Sequence, residues 1–171
     1  EGEGEIALEQ AARLDGLYRR LHSAGFKLRR QANLDSLLWG KLLVNAAVNP
    51  TTALLGVPNG ALLEHPAAWA IAEAALLEAS RIAAAQNIRL PYADPRRHVR
   101  AVIRKTADNR SSMLQDLRRG APTEIEAING AIVRCGAKLG LETPVNRLLV
   151  LLVQARLATT SPALEAKPTP E

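Results

Sequence analysis

The strongest constraint on the fold comes from residues 34–55, LDSLLWGKLLVNAAVNPTTALL, which are almost entirely apolar. Their leucines, valines and alanines would cover most of the circumference of a helix, as in a helix buried among others. This apolar pattern is interrupted by Lys41, Asn45 and Asn49, which are four residues apart. Each step of four residues turns by about 40° and climbs about 6 Å along a helix. The sequence therefore predicts a buried helix that carries one narrow polar stripe.

This polar stripe has two interpretations, and the pattern does not separate them. One ammonium and two carboxamides are costly on a buried helix unless they meet a partner or a ligand, which indicates a small polar pocket. The same spacing also occurs on the solvated face of an amphipathic helix, although such a face is usually broader and more charged. Pro50 disfavours the α conformation of Asn49, so we expect the helix to end or kink there.

The composition favours closely packed helices over a β-sandwich. The chain has 171 residues, of which 47% are hydrophobic and 3% aromatic, and it is rich in alanine and leucine, which are good helix formers. No charge-free apolar run is long enough for a membrane span and no signal peptide is visible, so we expect a soluble protein. The single cysteine, Cys135, and the three scattered histidines predict neither a disulfide within the chain nor a metal site.

Residues 1–32 predict a small piece of an α/β sheet. A strand is expected from Glu5 to Leu8, a helix from Glu9 to His22 and a second strand from Gly25, in the segment GFKLRR. Strand, helix and strand within thirty residues form a β-α-β unit, and we find no further strands to complete its sheet. Because the chain also begins with EGEGE rather than methionine, we expect it to be a piece of a longer protein.

From residue 33 onward the predicted structure is all helical. Asn33 or Asp35 is expected to cap the buried helix, and residues 56–60 to form the turn after it. Short connections between successive helices make a compact bundle the natural architecture of residues 33–158. Residues 159–171, TTSPALEAKPTPE, are expected to be a disordered tail. The later helices are predicted at about 65–86, 96–107, 112–118, 123–139 and 144–158.

A second polar group lies in residues 109–124, NRSSMLQDLRRGAPTE. Ser111 or Ser112 and Thr123 suit N-cap positions, where a hydroxyl accepts a backbone N–H at a helix start. Alternatively, the helix start at Ser111 and Ser112 binds an anionic group, with the Glu124 carboxylate as a hydrogen-bond acceptor beside it. An ammonium, a carboxylate and several carboxamides would suit a polarised carbonyl, but their spacing alone is a weak signal.

The charge of the chain leaves the class of partner open. A net charge of +5 is compatible with nucleic acid or with an anionic small molecule. A run of basic residues within the predicted helix at 96–107 could contact phosphates, but it has no interleaved aromatic residues, so a solvated helix face is the favoured interpretation. The run consists of Arg96, Arg97, Arg100, Arg104 and Lys105.

Four segments of the chain, in this order and spacing, resemble the C-terminal part of the ketopantoate reductase (2-dehydropantoate 2-reductase) family. The resemblance spans essentially residues 1–158, and the combination of four motifs is far more specific than the spacing of the polar stripe alone. The segments are LWGKLLVNAAVNPTTAL at 38–54, PNGAL at 58–62, NRSSMLQDLRRGAPTEIEAINGAIV at 109–133 and GLETPVNRLL at 140–149.

This resemblance implies both a fold and an activity. The fold is a mainly α, multi-helix bundle like the C-terminal domain of 6-phosphogluconate dehydrogenase, preceded by a β-α-β remnant of a Rossmann domain. The activity is the NADPH-dependent reduction of 2-dehydropantoate to pantoate, in pantothenate and coenzyme A biosynthesis. A cytoplasmic homodimer that binds a small 2-keto acid is implied, with no nucleic-acid, membrane or metal partner. Residues 33–158 would be the substrate-binding and dimerisation domain.

The family's functional positions carry over to seven residues of this sequence. By this resemblance Lys41 is the catalytic general acid and Glu124 contacts the cofactor. The expected substrate contacts are Asn45, Asn49, Asn59, Asn109 and Ser112. These side chains suit the reaction, because an ammonium can stabilise the charge that develops on a carbonyl oxygen and then donate its proton.

One part of the family pattern is missing from this sequence. The nucleotide-binding domain, with its G-x-G-x-x-G turn after a first strand, is not present, and the glycines of the EGEGE start do not supply it. We therefore expect this chain to hold the substrate half of the site and to be inactive alone. The alternatives are a helical oligomerisation module without catalysis, a reductase of another 2-keto acid, and nucleic-acid binding through the basic helix.

Overall fold

The computed structural model describes residues 5–160, and its first element is a β-α-β unit. Strand β1 (Ile6–Glu9) pairs in parallel with β2 (Leu28–Gln31), and Ile6 lies opposite Leu28. Helix α1 (Asp15–Ser23) supplies the crossover that a parallel pair requires. The Arg30 guanidinium pairs with Asp15 at 2.6 Å and ties β2 to the start of α1. The predicted order of strand, helix and strand is confirmed.

The boundaries inside this unit differ from the prediction. The helix does not start at Glu9, because the backbone N–H of Gln10 donates to the Gln31 carbonyl at 2.9 Å and so continues the strand pairing. A 3₁₀ turn at Ala12–Leu14 follows, and α1 begins only after it. The second strand starts at Leu28 rather than at Gly25, which has a φ of 85° in the turn that ends α1.

The long helix α2 (Leu34–Leu55) has the predicted limits. The Asn33 side chain accepts the backbone N–H of Ser36 at 2.8 Å and caps the N-terminus, while Gly56, in the left-handed region at φ 72°, ends the helix. α2 does not end at Asn49. It continues through Pro50 for a further turn, so the proline lies inside the helix.

The bundle consists of α2 and the helices that pack around it. α4, α6 and α8 cover much of α2, and α5 and α7 also contact it. The bounds of the later helices are α3 (Ala61–Glu64), α4 (Pro66–Ala85), α5 (Pro95–Lys105), α6 (Ser112–Arg119), α7 (Ile125–Leu139) and α8 (Pro144–Thr160). This arrangement confirms the predicted helical bundle. Among residues 5–160, no helix has the length and hydropathy required to cross a membrane.

Three local expectations need correction. The short helix α3 was not predicted. Thr123 is not an N-cap, because α7 starts at Ile125 with Glu124 in the cap position, and the buried Thr123 Oγ1 has no hydrogen-bond partner among residues 5–160. Thr159 and Thr160 belong to α8 rather than to a tail. The rest of the predicted tail, residues 161–171, lies outside the described residues.

The helix tolerates Pro50 because a side chain from another helix replaces the missing donor. Proline has no N–H, so the carbonyl of Ala46, one turn earlier, has no partner within α2. Ala46 is fully buried, and the Asn129 side chain of α7 donates from Nδ2 to this carbonyl at 3.0 Å. The buried backbone oxygen is therefore satisfied across the core.

Candidate functional site

The polar stripe of α2 lies at the boundary between core and solvent. Lys41 is exposed, Asn45 and Asn49 are half-buried, and the residues between them include the fully buried Leu43 and Ala47. Among residues 5–160, the side chains of Lys41, Asn45 and Asn49 form no hydrogen bond or ion pair. Three side chains with unused polar groups thus follow one another along the most buried helix of the bundle.

A groove of about 320 Å³ runs beside the first half of this stripe. We call it the α2 groove. Its walls come from α2, from the connector between α4 and α5, and from α5 itself. Lys41 and Asn45 both line it, so the groove presents an ammonium and a carboxamide to whatever enters. Its lining residues are Leu37, Gly40, Lys41, Val44, Asn45, Pro91, Tyr92 and His98.

Tyr92 joins the connector wall of the α2 groove to α2. Its hydroxyl donates to the Gly40 carbonyl at 3.0 Å, and its ring stacks on that of His98 with the centroids 3.9 Å apart. Burial raises the pKa of Tyr92 to about 12. The phenol is therefore neutral at physiological pH and remains a donor.

Gly40 allows the connector to approach α2 this closely. A Cβ at this position would lie 2.6 Å from Pro91 Cγ and 2.9 Å from Pro91 Cδ, distances that ordinary packing does not permit. Any larger residue would push the connector away from α2 and would displace Tyr92. The missing side chain of Gly40, one residue before Lys41, thus sets the width of the α2 groove.

The other end of the stripe is joined to the start of α6. The hydroxyls of Thr52 and Ser111 lie 2.8 Å apart, and each also lies within hydrogen-bond distance of the Asn49 carbonyl, at 3.1 and 3.5 Å. Ser111 also accepts the N–H of Leu114 at 3.2 Å, so Ser111 is the N-cap. Ser112, the first residue of α6, is exposed, and its hydroxyl has no hydrogen-bond partner among residues 5–160.

Asn59 and Asn109 are brought together by the turn that precedes α3. The backbone N–H of Asn59 donates to the Asn109 carbonyl at 2.9 Å, and Asn59 Nδ2 donates to Thr106 Oγ1 at 3.0 Å. Asn59 Oδ1 is buried and has no partner among residues 5–160. Asn109 is exposed, so of the two carboxamides only that of Asn59 is held in place by the fold.

Glu124 lies apart from these contacts. It is exposed at the N-terminus of α7, its carboxylate does not cap that helix, and its side chain has no hydrogen bond or ion pair with any residue in the described range. Hydrogen bonds thus join the Asn49 carbonyl to the start of α6, and a separate set joins Asn59 to Asn109. Lys41 and Asn45 share the α2 groove. Glu124 belongs to none of these groups.

The basic helix α5 uses part of its charge within the fold. Arg96 pairs with Glu73 of α4 at 3.0 Å, and the Arg100 guanidinium lies 4.7 Å from the centre of the Trp69 ring. The opposite face of α5 buries Val99 and Ile103 in the core. This amphipathic packing favours the interpretation of α5 as a solvated helix, and no cluster of metal-ligating side chains is found within residues 5–160.

Sequence reasoning missed the residues that complete the α2 groove. Tyr92 and His98 lie more than fifty positions after Lys41, so no local periodicity relates them to the stripe. One signal was available for Tyr92: it stands between Pro91 and Asp94-Pro95 in a chain with two tyrosines. An aromatic residue in a connector of such a chain indicates packing against a helix.

Three comparisons with known proteins agree with this architecture. Residues 33–157 match the family model described as ketopantoate reductase PanE/ApbA C terminal. The 2-dehydropantoate 2-reductase of Archaeoglobus fulgidus is 42% identical over 134 residues, which are 78% of this chain and 45% of that protein. The chain spans about half the length of the curated relatives that it matches first.

Solved structures share the fold as well. A ketopantoate reductase of the PanE/ApbA family from Ralstonia eutropha JMP134 superposes with a TM-score of 0.83 at 32% identity, covering 92% of this chain and 53% of that one. The ternary complex of D-mandelate dehydrogenase with NADH and anilino(oxo)acetate gives a TM-score of 0.78 at 27% identity, covering 92% of this chain and 88% of that one.

The fold and the site therefore define a class, the helical domain of a family of nucleotide-dependent oxidoreductases. Within that class one family can be assigned, because its model covers most of the chain and the Archaeoglobus fulgidus enzyme is 42% identical in sequence. The chain belongs to the ketopantoate reductase PanE/ApbA family, and residues 33–157 are its C-terminal domain.

Proposed function

We propose that this chain is the substrate-binding part of an NADPH-dependent 2-dehydropantoate 2-reductase. The observation that carries the proposal is the row of polar side chains on α2 that have no partner within the described part of the chain, in a domain that belongs to this family. Lys41 is the general acid, and the carboxamides of Asn45 and Asn49 bind the substrate. Residues 33–158 form the substrate-binding and dimerisation domain, and residues 1–32 belong to the nucleotide-binding domain.

Lys41 acts on the oxygen of the substrate's 2-keto group. A bound NADPH would provide the hydride that adds to the carbon of this keto group. Negative charge develops on the oxygen, and the Lys41 ammonium stabilises this charge and then transfers one proton to it, which gives the 2-hydroxy acid. Lys41 regains its proton from solvent, to which its exposed side chain has access. General-acid catalysis of this kind contributes about 10²- to 10⁴-fold in rate.

The carboxamides and the hydroxyl orient the substrate without adding charge. Asn45 lines the α2 groove beside Lys41, and Asn49 follows one turn later. Asn59 is a further proposed substrate contact, and its Oδ1 is an acceptor with no partner among residues 5–160. The exposed side chains of Asn109 and Ser112 bind its carboxylate, as the free N–H groups at the start of α6 favour an anion there.

The proposed contact of this chain with NADPH is Glu124. Its exposed carboxylate has no partner among residues 5–160 and so fits an acceptor for a hydroxyl or amide N–H of the cofactor. Most of the cofactor would be bound by the nucleotide-binding domain that the resemblance implies. The D-mandelate dehydrogenase structure contains NADH, so preference for NADPH over NADH is a separate part of the proposal.

The proposed enzyme is a cytoplasmic homodimer. Helix α8 exposes Leu148, Leu151 and Leu152, with 55%, 54% and 44% of each residue accessible, which supports association through this helix. The single cysteine of the chain, Cys135, is free, as is common in a reducing compartment. Sedimentation of the full-length protein over a range of concentrations tests the dimer, and a monomer at micromolar concentration would contradict it.

The first test is the oxidation of NADPH in the presence of 2-dehydropantoate. It is run on the full-length protein, on this chain alone and on full-length protein with Lys41→Ala. We expect activity in the full-length protein, none in the chain alone and a loss of about 10²- to 10⁴-fold in kcat for Lys41→Ala. The matched control is Lys138→Ala, which removes an exposed lysine of α7 and should leave kcat unchanged.

A second candidate is a reductase of another 2-keto acid with the same mechanism. It is favoured by the structural likeness to D-mandelate dehydrogenase, which was solved with anilino(oxo)acetate, a 2-oxo carboxylate. A panel of 2-keto acids with different C3 substituents distinguishes the two, because a higher kcat/KM for an aromatic acid would replace 2-dehydropantoate as the substrate. An undiminished rate with Lys41→Ala would refute the role of Lys41 in either case.

A further inference from the structure

Proline inside α2 interrupts the helix in the middle of the proposed site. The carbonyl that loses its partner belongs to Ala46, the residue after Asn45, and the proline itself follows Asn49. A proline ring also collides with the carbonyl one turn earlier, which bends a helix at that point. The interruption therefore separates Lys41 and Asn45 from Asn49.

Asn129 of α7 compensates for this interruption in a fixed orientation. Its Nδ2 group donates to the Ala46 carbonyl at 3.0 Å and to Asn146 Oδ1 at 2.9 Å. Rotating the amide by 180° would place its oxygen against two acceptors, so a single orientation is allowed. The carboxamide therefore acts as a double donor and joins α7 to the backbone of α2 and to α8.

Asn146 in turn is held by Glu78 of α4. Asn146 Nδ2 donates to Glu78 Oε2 at 2.7 Å, and the carboxylate also accepts the backbone N–H groups of Val145 and Asn146, both at 2.9 Å. Asn146 and Asn129 are fully buried, and Glu78 is nearly so. One buried chain of hydrogen bonds thus connects three helices to a single carbonyl of α2.

We propose that Asn129 is a positioning residue: its hydrogen bond to the Ala46 carbonyl supports the course that Pro50 gives to α2 and thereby sets the orientation of Asn49 relative to Lys41 and Asn45. This inference rests on the proposed function of the stripe. With alanine at position 50, the backbone N–H of that residue would donate to the Ala46 carbonyl, and no donor from another helix would be needed. The fold instead keeps a proline and uses three buried polar side chains to accommodate it, which a merely structural helix does not require.

Asn129 also connects α2 to the start of α7, where Glu124 lies. Asn129 lies five positions after Glu124, in the second turn of α7. Its bond to Ala46 therefore fixes the first turns of α7 against the half of α2 that carries the stripe. Asn129 would position the proposed cofactor contact as well as the substrate contacts, although its own side chain touches neither ligand.

The test is a double-mutant cycle in the full-length protein with Asn129→Ala, Pro50→Ala and both together. Asn129→Ala should lower the midpoint of thermal unfolding by several degrees and reduce kcat by about tenfold to a hundredfold. In the double variant the new N–H at position 50 can bond to the Ala46 carbonyl, so the fall in the midpoint caused by Asn129→Ala should be smaller. The loss in kcat should remain, because Pro50 no longer sets the course of α2.

The single variant Pro50→Ala and one further control keep the test decisive. Pro50→Ala alone retains all three buried side chains, folds even if Asn129→Ala does not, and should still lose at least about tenfold in kcat. Pro66→Ala, at the exposed start of α4, controls for the effect of removing a proline from the unfolded chain and should retain full activity. Full activity in Pro50→Ala, or in the double variant, would overturn the inference.

A structural readout separates this inference from the proposed function. If the full-length protein reduced none of the 2-keto acids tested, the proposed function would fail, but the geometry of α2 could still be measured. Crystal structures of the parent and of the double variant should show a straighter α2 and a changed distance between the Lys41 and Asn49 Cα atoms. An unchanged distance would overturn the positioning role whatever the activity.

Discussion

Two pairs of asparagines in this domain have opposite environments. Asn129 and Asn146 are fully buried, and their side chains make four hydrogen bonds: one to each other and three to backbone and side-chain acceptors on two other helices, α2 and α4. Asn45 and Asn49 are half-buried on α2, and their side chains have no partner among residues 5–160. The first pair stabilises the bundle, whereas the second pair retains its full capacity to bind a ligand.

Each pair also has one charged residue beside it, Glu78 for the buried pair and Lys41 for the pair on α2. Glu78 is 5% exposed and accepts three N–H groups, two from the backbone and one from Asn146. Lys41 is exposed and has no ion pair or hydrogen bond within the described range. A buried charge needs its hydrogen bonds for stability, while a reactive ammonium needs to be free for the substrate. The use of hydrogen-bonding capacity, rather than residue type, therefore distinguishes structural from functional polar groups here.

The largest effect on stability is expected for Asn146→Ala. This change removes two donors and one acceptor from the core, leaving the Glu78 carboxylate and Asn129 Nδ2 each with one bond fewer. Because a hydrogen bond to a buried charged group is worth about 1.5–3 kcal/mol, we expect a loss of about 2–4 kcal/mol. Chemical denaturation of the full-length protein measures it.

The control for this prediction is the neighbouring residue. Arg147→Ala removes an exposed side chain from the same turn of α8 and should change the free energy of unfolding by less than about 0.5 kcal/mol. A loss for Asn146→Ala no larger than that for Arg147→Ala would mean that the buried network contributes little. The contrast between the two asparagine pairs would then lose its energetic basis.

Gly40→Ala tests the packing that forms the α2 groove. The new Cβ would lie 2.6 Å from Pro91 Cγ, and the proline ring has no flexible end that can move aside. Overpacking of this kind costs about 1–3 kcal/mol, and displacement of the connector should also raise KM. Gly16→Ala in α1 is the matched control, since a Cβ there meets no atom within 4 Å. Equal stabilities of the two variants would refute the close approach.

The course of α2 could be predicted from sequence because its determinants are local. Apolar residues at helical spacing, a cap at Asn33 and a glycine at position 56 define its two ends. The same logic placed the ends of α6 and α7 at about residues 118 and 139, close to Gly120 and Gly140, which both have positive φ and end these helices. It failed at Gln10, which was assigned to a helix, because the bond from Gln10 to Gln31 joins segments that local rules treat separately.

The site could be predicted only in part, for a related reason. The stripe of Lys41, Asn45 and Asn49 is visible as a break in an apolar pattern, and resemblance to the family supplied Asn59, Asn109, Ser112 and Glu124. The partner of the Ala46 carbonyl is 83 positions away in sequence, and Tyr92 is 52 positions from the Gly40 carbonyl. Tertiary hydrogen bonds over such separations leave no periodic signal, so Asn129 and Tyr92 emerge only in the folded chain.

Tyr92→Phe should have a smaller effect than Gly40→Ala. It removes the hydrogen bond to the Gly40 carbonyl, worth about 0.5–1.5 kcal/mol, but keeps the stacking on His98. Tyr18→Phe, in which the other tyrosine ring lies under Arg30, is the matched control and should be nearly neutral. A destabilisation in Tyr92→Phe no greater than in Tyr18→Phe would mean that the hydroxyl does not hold the connector.

The pH dependence of stability offers a second check on Tyr92. Its pKa in the folded protein is about 12, compared with an ordinary value of 10.0. Below pH 10 the phenol is protonated in both states and the folded state keeps its full advantage. Between pH 10 and 12 only the unfolded chain ionises, so the free energy of unfolding falls as pH rises. Denaturant titrations over this range should show a shallower fall for Tyr92→Phe than for the parent.

The smallest effect on stability is expected for Asn45→Ala, and it is the sharpest test of the comparison between the two pairs. Because the Asn45 side chain has no partner among residues 5–160, its removal leaves no buried group unsatisfied, and alanine is the better helix former. The free energy of unfolding should therefore change by less than about 0.5 kcal/mol. Chemical denaturation of the full-length protein, in parallel with Asn146→Ala, measures it.

The effect of Asn45→Ala on catalysis should be large, although its effect on stability is small. A lost hydrogen bond to a charged or polarised substrate group is worth about 1.5–3 kcal/mol, so kcat/KM should fall by tenfold or more. A variant as stable as the parent but markedly less active is the behaviour of a residue whose bonding capacity is reserved for a ligand. If Asn45→Ala were instead fully active, the Asn45 carboxamide would not be reserved for a ligand, and Lys41 would lose its strongest structural support as the general acid.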